Sequence, residues 1–310
     1  MSRLPGRLPG RVDAGDSKHL AGATAGRSKG ADSYVQSIRT SDSSDSPARV
    51  GHVALKRLRQ MLSERELAVL ASVDTYRYMS AAQIERLHFQ EHASADTAAR
   101  IRRRVLERLT AARLLARTER VIGGMRGGSA GFVYGIGPLG HRLLHDDGSR
   151  GRWDEPSLTF LDHTLAVADV AIQVTEASRG GDFDLIALEA EPKCWRHFTR
   201  GLGAREVLKP DLFVSVGVGD YEHRWFIEVD RGTESTKALR AKCQVYEDYR
   251  RSGIEQTAHE VFPRVLWIVP TERPERQIEE LVRRSSGLTG ELFTVTVEAG
   301  FLGTLVGGEQ

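Results

Sequence analysis

Apolar residues recur at helical spacing in three successive stretches of the first half of the chain. Ser63-Glu-Arg-Glu66 has the pattern of a capping box, and Leu67, Leu70 and Val73 follow on one face. A second box, Ser80-Ala-Ala-Gln83, opens a short helix with Ile84 and Leu87 turned inward. A third helix is predicted from about Ser94 or Asp96, with Ile101, Val105, Leu109 and Leu114 as its apolar stripe. The period then changes. Segments 115–121 and 132–136 read as strands on either side of a glycine-rich tip at 123–131, and Pro138 opens a closing helix that reaches Leu144.

Beyond a polar, glycine-containing link at 147–156, residues 157–177 read as a helix with Leu161, Leu165, Ala168, Ile172 and Val174 mostly inward. Short apolar runs at 184–192, 211–218 and 224–230 read as strands, the last two joined by the polar turn 219–223. A charged helix at 234–252 follows, with Leu239, Cys243 and Tyr246 on one side. A strand at 264–270, a helix at 275–285 and a last strand at 293–298 complete the series. The order of this half is α-β-β-β-α-β, and the chain as a whole is expected to be α+β, with domains at 55–148 and 155–300.

Composition adds the ends and the setting. The 310 residues suffice for two ordinary domains, and a net charge of +2 makes the distribution of charge more telling than its sum. Residues 1–50 are rich in Gly, Ser, Asp and Arg and poor in large apolar side chains. Such a segment cannot offset an ordering entropy of roughly 1–2 kcal/mol per residue, so a disordered tail to residue 54 is expected. Residues 301–310 are expected to be a flexible C-terminus. Two cysteines do not make a disulfide scaffold, and Cys194-Trp-Arg-His197 lacks a second ligand pair for zinc. Neither a membrane-length apolar run nor a signal-peptide core is evident, so a cytoplasmic protein without membrane contact is expected.

The third helix carries Arg100, Arg102, Arg103, Arg104 and Arg108 off its apolar stripe, and Arg126 stands in the tip between the two strands. Helix, short helix, basic helix and hairpin together resemble a winged helix-turn-helix. The resemblance implies double-stranded DNA as the partner, with the third helix in the major groove and the other arginines against phosphate. Gly127-Gly-Ser129-Ala-Gly131 matches a nucleophile-elbow pattern, but an elbow joins strand to helix, whereas this segment lies in a hairpin tip.

The second half concentrates acids where buried strands should have none. Asp211 opens one strand, and Glu228 and Asp230 share one face at the end of the next. Three converging carboxylates cost several kcal/mol unless something positive joins them, and oxygen donors suit Mg²⁺ or Mn²⁺. Glu189 or Glu191 on the first strand could add a ligand. Pro210-Asp211 and Glu228-Val-Asp230, within α-β-β-β-α-β, resemble the PD-(D/E)xK nuclease fold. Asp230 stands where that motif has its lysine, so Lys242 or Lys237 on the following helix could serve instead. The resemblance implies Asp211, Glu228 and Asp230 as metal ligands and Lys242 as the group that orients a nucleophile. Tyr246 and Tyr249 lack the histidine triplet that a tyrosine relaxase would need.

Taken together, Tyr134-Gly-Ile-Gly-Pro-Leu-Gly140, Leu161-Asp-His163, Lys209-Pro-Asp211 and Phe226-Ile-Glu-Val-Asp-Arg-Gly-Thr-Glu234, with Lys242 and Tyr246, resemble the replication-relaxation family over roughly residues 60–270. The resemblance implies plasmid or mobile-element DNA. Two functions stay open at this point. One is a Mg²⁺-dependent nuclease or nickase. The other is a non-catalytic DNA-binding factor whose nuclease-like domain serves docking or homodimerisation.

Overall fold

The computed structural model describes residues 51–91, 94–118, 131–145, 156–200 and 203–307. The expected tail through residue 50, the tip with Arg126 and most of the link at 147–156 lie outside the described residues. The protein mixes helix and sheet, as expected, and divides into two compact units that meet between Leu165 and Ala166. The sequence had placed this boundary earlier, in the polar link.

In the first unit, α1 (His52–Met61) begins inside the stretch assigned to the tail, because Leu55 and Leu58 provide a buried stripe. Helix α2 (Glu64–Thr75) and helix α3 (Ala81–His88), separated by the short strand β1 (Tyr78–Ser80), both start with the capping box read from the sequence. Ser63 and Ser80 accept from the backbone N–H of Glu66 and Gln83, whose side chains accept in return from the cap N–H groups. Helix α4 (Ala95–Ala111) carries Ser94 as its cap. Strands β2 (Leu115–Arg117) and β3 (Val133–Ile136) join β1 in an antiparallel sheet ordered β1-β3-β2, and α5 (Pro138–Leu144) follows.

Close approach explains the Gly-Ile-Gly-Pro-Leu-Gly step. A Cβ on Gly137 would stand 2.3 Å from the carbonyl oxygen of Arg113, and one on Gly140 would stand 2.1 Å from that of Leu114. Both obstacles are backbone, which cannot swing aside as a side chain can. The amides of Gly137 and Leu139 donate to these same two carbonyls.

Helix α6 (Leu158–Gly180) leads into the second unit. Its five-stranded sheet has the order β10-β9-β8-β7-β4, built from β4 (Asp184–Ala190), β7 (Leu212–Val218), β8 (Tyr221–Val229), β9 (Arg264–Val269) and β10 (Phe293–Val297). The first three pair antiparallel, and the β8–β9 and β9–β10 pairs are parallel. Between β4 and β7 lies a hairpin of β5 (Arg196–Thr199) and β6 (Arg205–Leu208), which the sequence reading did not anticipate. Helices α7 (Thr236–Ser252), α8 (Ile254–His259) and α9 (Glu272–Arg284) complete the connections. The expected flexible end instead forms α10 (Phe301–Leu305), with Phe301 and Leu305 buried and the Leu305 carbonyl accepting from the Trp225 indole N–H at 3.1 Å. Among the described residues no helix is long and apolar enough to cross a membrane.

Gly137→Ala or Gly140→Ala is expected to destabilise the protein by about 2–3 kcal/mol, because the α4–β2 turn and α5 must move apart. Urea unfolding followed by circular dichroism checks this, and a shift within about 0.5 kcal/mol of wild type contradicts it.

Candidate functional site

The five arginines of α4 fall into two classes. Of the stripe Ile101, Val105, Leu109 and Leu114 read from the sequence, Leu109 and Leu114 are buried and Ile101 and Val105 only half-buried; Ala98 and Leu106 complete the buried face. Arg102 lies four residues before Leu106 and so shares the inner face, where its guanidinium pairs with Glu85 of α3. Arg108 pairs with Glu66, the capping-box glutamate, which is only 2% exposed and needs a positive partner. Arg102 and Arg108, expected to face DNA, are thus engaged inside the unit. Arg100, Arg103 and Arg104 are exposed and have no ion pair among the described residues. Arg126 lies outside them. On β2, Arg117 is exposed and stacks 4.2 Å over the exposed ring of Phe132; the sequence reading did not single out this pair, whose signal was an arginine and a phenylalanine flanking the glycine-rich tip.

In the second unit the register brings Asp211 and Glu228 together. Leu212 pairs with Ile227, so Asp211 comes opposite Glu228 one step further on, and its amide donates to the Ile227 carbonyl at 3.1 Å. The Asp211 carboxylate accepts from the Val229 N–H at 2.7 Å. Glu228 is 0% exposed. Helix α7 covers it with two residues one turn apart: the Tyr246 hydroxyl donates to Oε1 at 2.6 Å, and Lys242 Nζ lies 2.7 Å from Oε2. Trp267, the β9 register partner of Glu228, places its ring 5.3 Å from the same Nζ. Lys237, the other lysine considered, is exposed.

Asp230 does not complete the cluster. Its carboxylate turns into its own loop and accepts from the Gly232 N–H at 2.9 Å, a turn that Gly232 permits with φ of +72°. Glu189 pairs instead with Arg196, which also donates to the buried Glu255. Tyr249 donates to Glu255 as well. Among the described residues no group of three or more His, Cys, Asp and Glu side chains could hold a metal ion. The expected Asp211–Glu228–Asp230 ligand set is therefore not assembled. Both oxygens of Glu228 are engaged, and an ammonium stands where the divalent ion was expected, so the residues present do not fit that ion.

The electrostatics follow from burial. Desolvation, with Asp211 adding to it, pushes Glu228 above the usual carboxylate range, while the Lys242 ammonium and the Tyr246 hydroxyl favour its charged form and oppose the rise. Burial by itself would lower Lys242, but Glu228, Asp211 and Glu234 more than reverse that and hold it charged. The Tyr246 hydroxyl is raised well above its ordinary value by burial and then by Glu228, which keeps its proton on the oxygen that donates to Glu228. Chemically, the arrangement is a buried acid with one cation and one neutral donor.

Tyr246→Phe is expected to cost about 1–3 kcal/mol, because Glu228 Oε1 is left buried without its donor. In a Glu228→Met background the same change should cost less than about 0.5 kcal/mol. Equal costs in the two backgrounds, measured by urea unfolding, would contradict the coupling.

Neither the curated proteins nor the solved structures give a match to this chain. A family model described as Replication-relaxation matches residues 70–265, well over half of the sequence. That span begins in α2 and ends in β9, so it takes in both the arginine helix and the carboxylate–lysine site. The chain belongs to the replication-relaxation family.

Proposed function

We propose that this replication-relaxation protein binds double-stranded DNA of a plasmid or mobile element in the cytoplasm, and that α4 is the element that meets the duplex. The observation that carries the reading is the exposed trio Arg100, Arg103 and Arg104, free of ion pairs among the described residues, on a helix of 17 residues. Such a helix is about 25 Å long and can lie in a major groove. Arg117, stacked on Phe132, adds a cation on the neighbouring hairpin. The second unit then serves as a docking or homodimerisation platform.

A second reading, cleavage of DNA assisted by Mg²⁺ or Mn²⁺, has one observation in its favour: Asp211, Glu228 and Lys242 come together from two strands and the following helix. Against it stand the full burial of Glu228 and the engagement of both its oxygens.

Replacing Arg100, Arg103 and Arg104 together by alanine is expected to weaken DNA binding. It should also flatten the dependence of log affinity on log salt by about 0.9 for each arginine that meets phosphate. Arg102→Ala or Arg108→Ala should mainly lower thermal stability. Gel retardation across a salt series separates these outcomes, and an unchanged slope in the triple variant removes α4 as the interface. Supercoiled plasmid with Mg²⁺ or Mn²⁺ tests the second reading: conversion by wild type but not by Asp211→Ala or Glu228→Ala supports cleavage, and retardation without conversion leaves binding alone.

A further inference from the structure

The run Glu228-Val-Asp-Arg-Gly-Thr-Glu234 is distinctive in sequence, yet DNA binding makes no use of it. Its geometry gives it a purpose. After β8 ends, Asp230 fastens the turn through the Gly232 N–H, and Arg231 pairs with Glu298 just past β10. Gly232 supplies the left-handed backbone, and Ser235 caps α7 by accepting from the Ala238 N–H. The loop returns Glu234 to 3.5 Å from Lys242 Nζ, which also lies 2.7 Å from Glu228. Exposure rises outward through the three residues, from 0% at Glu228 to 29% at Lys242 and 34% at Glu234. The face of Trp267 adds a further attraction for the ammonium.

We infer that Lys242 is the resident cation of this site, clamped between Glu228 inside and Glu234 at the mouth, and that the native site takes no divalent ion. Glu228 and Glu234 both contact this one ammonium, and Asp211 adds its negative charge nearby. Taking that ammonium away leaves Glu228 and Glu234 facing the vacated volume, two carboxyl groups that a small hard cation can bridge. Glu234 is accordingly a positioning residue for Lys242, a role that spacing along the strands did not reveal. This inference does not rest on DNA binding, and it predicts a site closed to the ion that the cleavage reading requires.

The test is thermal unfolding of the full chain in EDTA and in saturating Mn²⁺. Wild type is expected to show the same Tm in both. Lys242→Met is expected to melt lower in EDTA and to gain about 5 °C or more in Mn²⁺. Adding Glu234→Gln should remove most of that gain. A wild-type Tm that rises with Mn²⁺, or a Lys242→Met protein indifferent to it, overturns the inference. Should Lys242→Met not fold, Glu234→Gln in the otherwise native chain provides the decision. Acylation of Lys242 by an amine-reactive reagent at one pH, followed by peptide mass mapping, is expected to become several-fold faster. An unchanged rate refutes the clamp.

Discussion

A carboxylate sealed from water inside a β-sheet organises the second unit. Glu228 has no solvent to stabilise its charge, so the surrounding chain must supply partners, and leaving such a group unpaired costs several kcal/mol. Strand β8 fixes where the carboxylate stands, and β7 sets Asp211 beside it. Helix α7 brings a partner to each oxygen, with the Tyr246 hydroxyl donating to one and the Lys242 ammonium paired with the other, four residues apart on the same face. The same side of the helix carries Leu239 and Cys243 into the core, so apolar packing and polar satisfaction demand the same rotation of α7.

The first unit solves a similar problem with different residues. Glu66 closes a capping box and is nearly buried, and the charge it brings in draws Arg108 from α4. That pairing and the Arg102–Glu85 contact fix the roll of α4, and they decide which arginines remain outside. Basic composition alone would count five equivalent cations on this helix, but burial makes them two tethers and three exposed side chains without an ion pair among the described residues.

Much of the fold was legible because it is written in local signals. Both capping boxes are in the sequence at the positions where the helices start, and the apolar runs mark β7 to within one residue and β8 apart from its first three residues. The proximity of Asp211 and Glu228 was legible too, since acids at strand ends stand out against apolar neighbours, whereas Lys242 came only from the resemblance to the nuclease fold, which left Lys237 as its alternative. What was missed depends on long-range contact. The β5–β6 hairpin is short and polar, α10 orders only because Phe301 and Leu305 find the sheet, and the roll of α4 is set by glutamates from other helices. Asp230 was misassigned because alternation tells which face a residue occupies, not whether its carboxylate bends back to cap a neighbouring amide.

The link between β8 and α7 has a consequence for chain length. Because Lys242 and Tyr246 ride on one rigid helix, a residue inserted or deleted between Ser235 and Lys242 would rotate both by about 100° away from Glu228 at once. Spacing is therefore as binding here as residue type: drift that a surface loop would absorb becomes, at this junction, the loss of every partner of the buried acid from that helix.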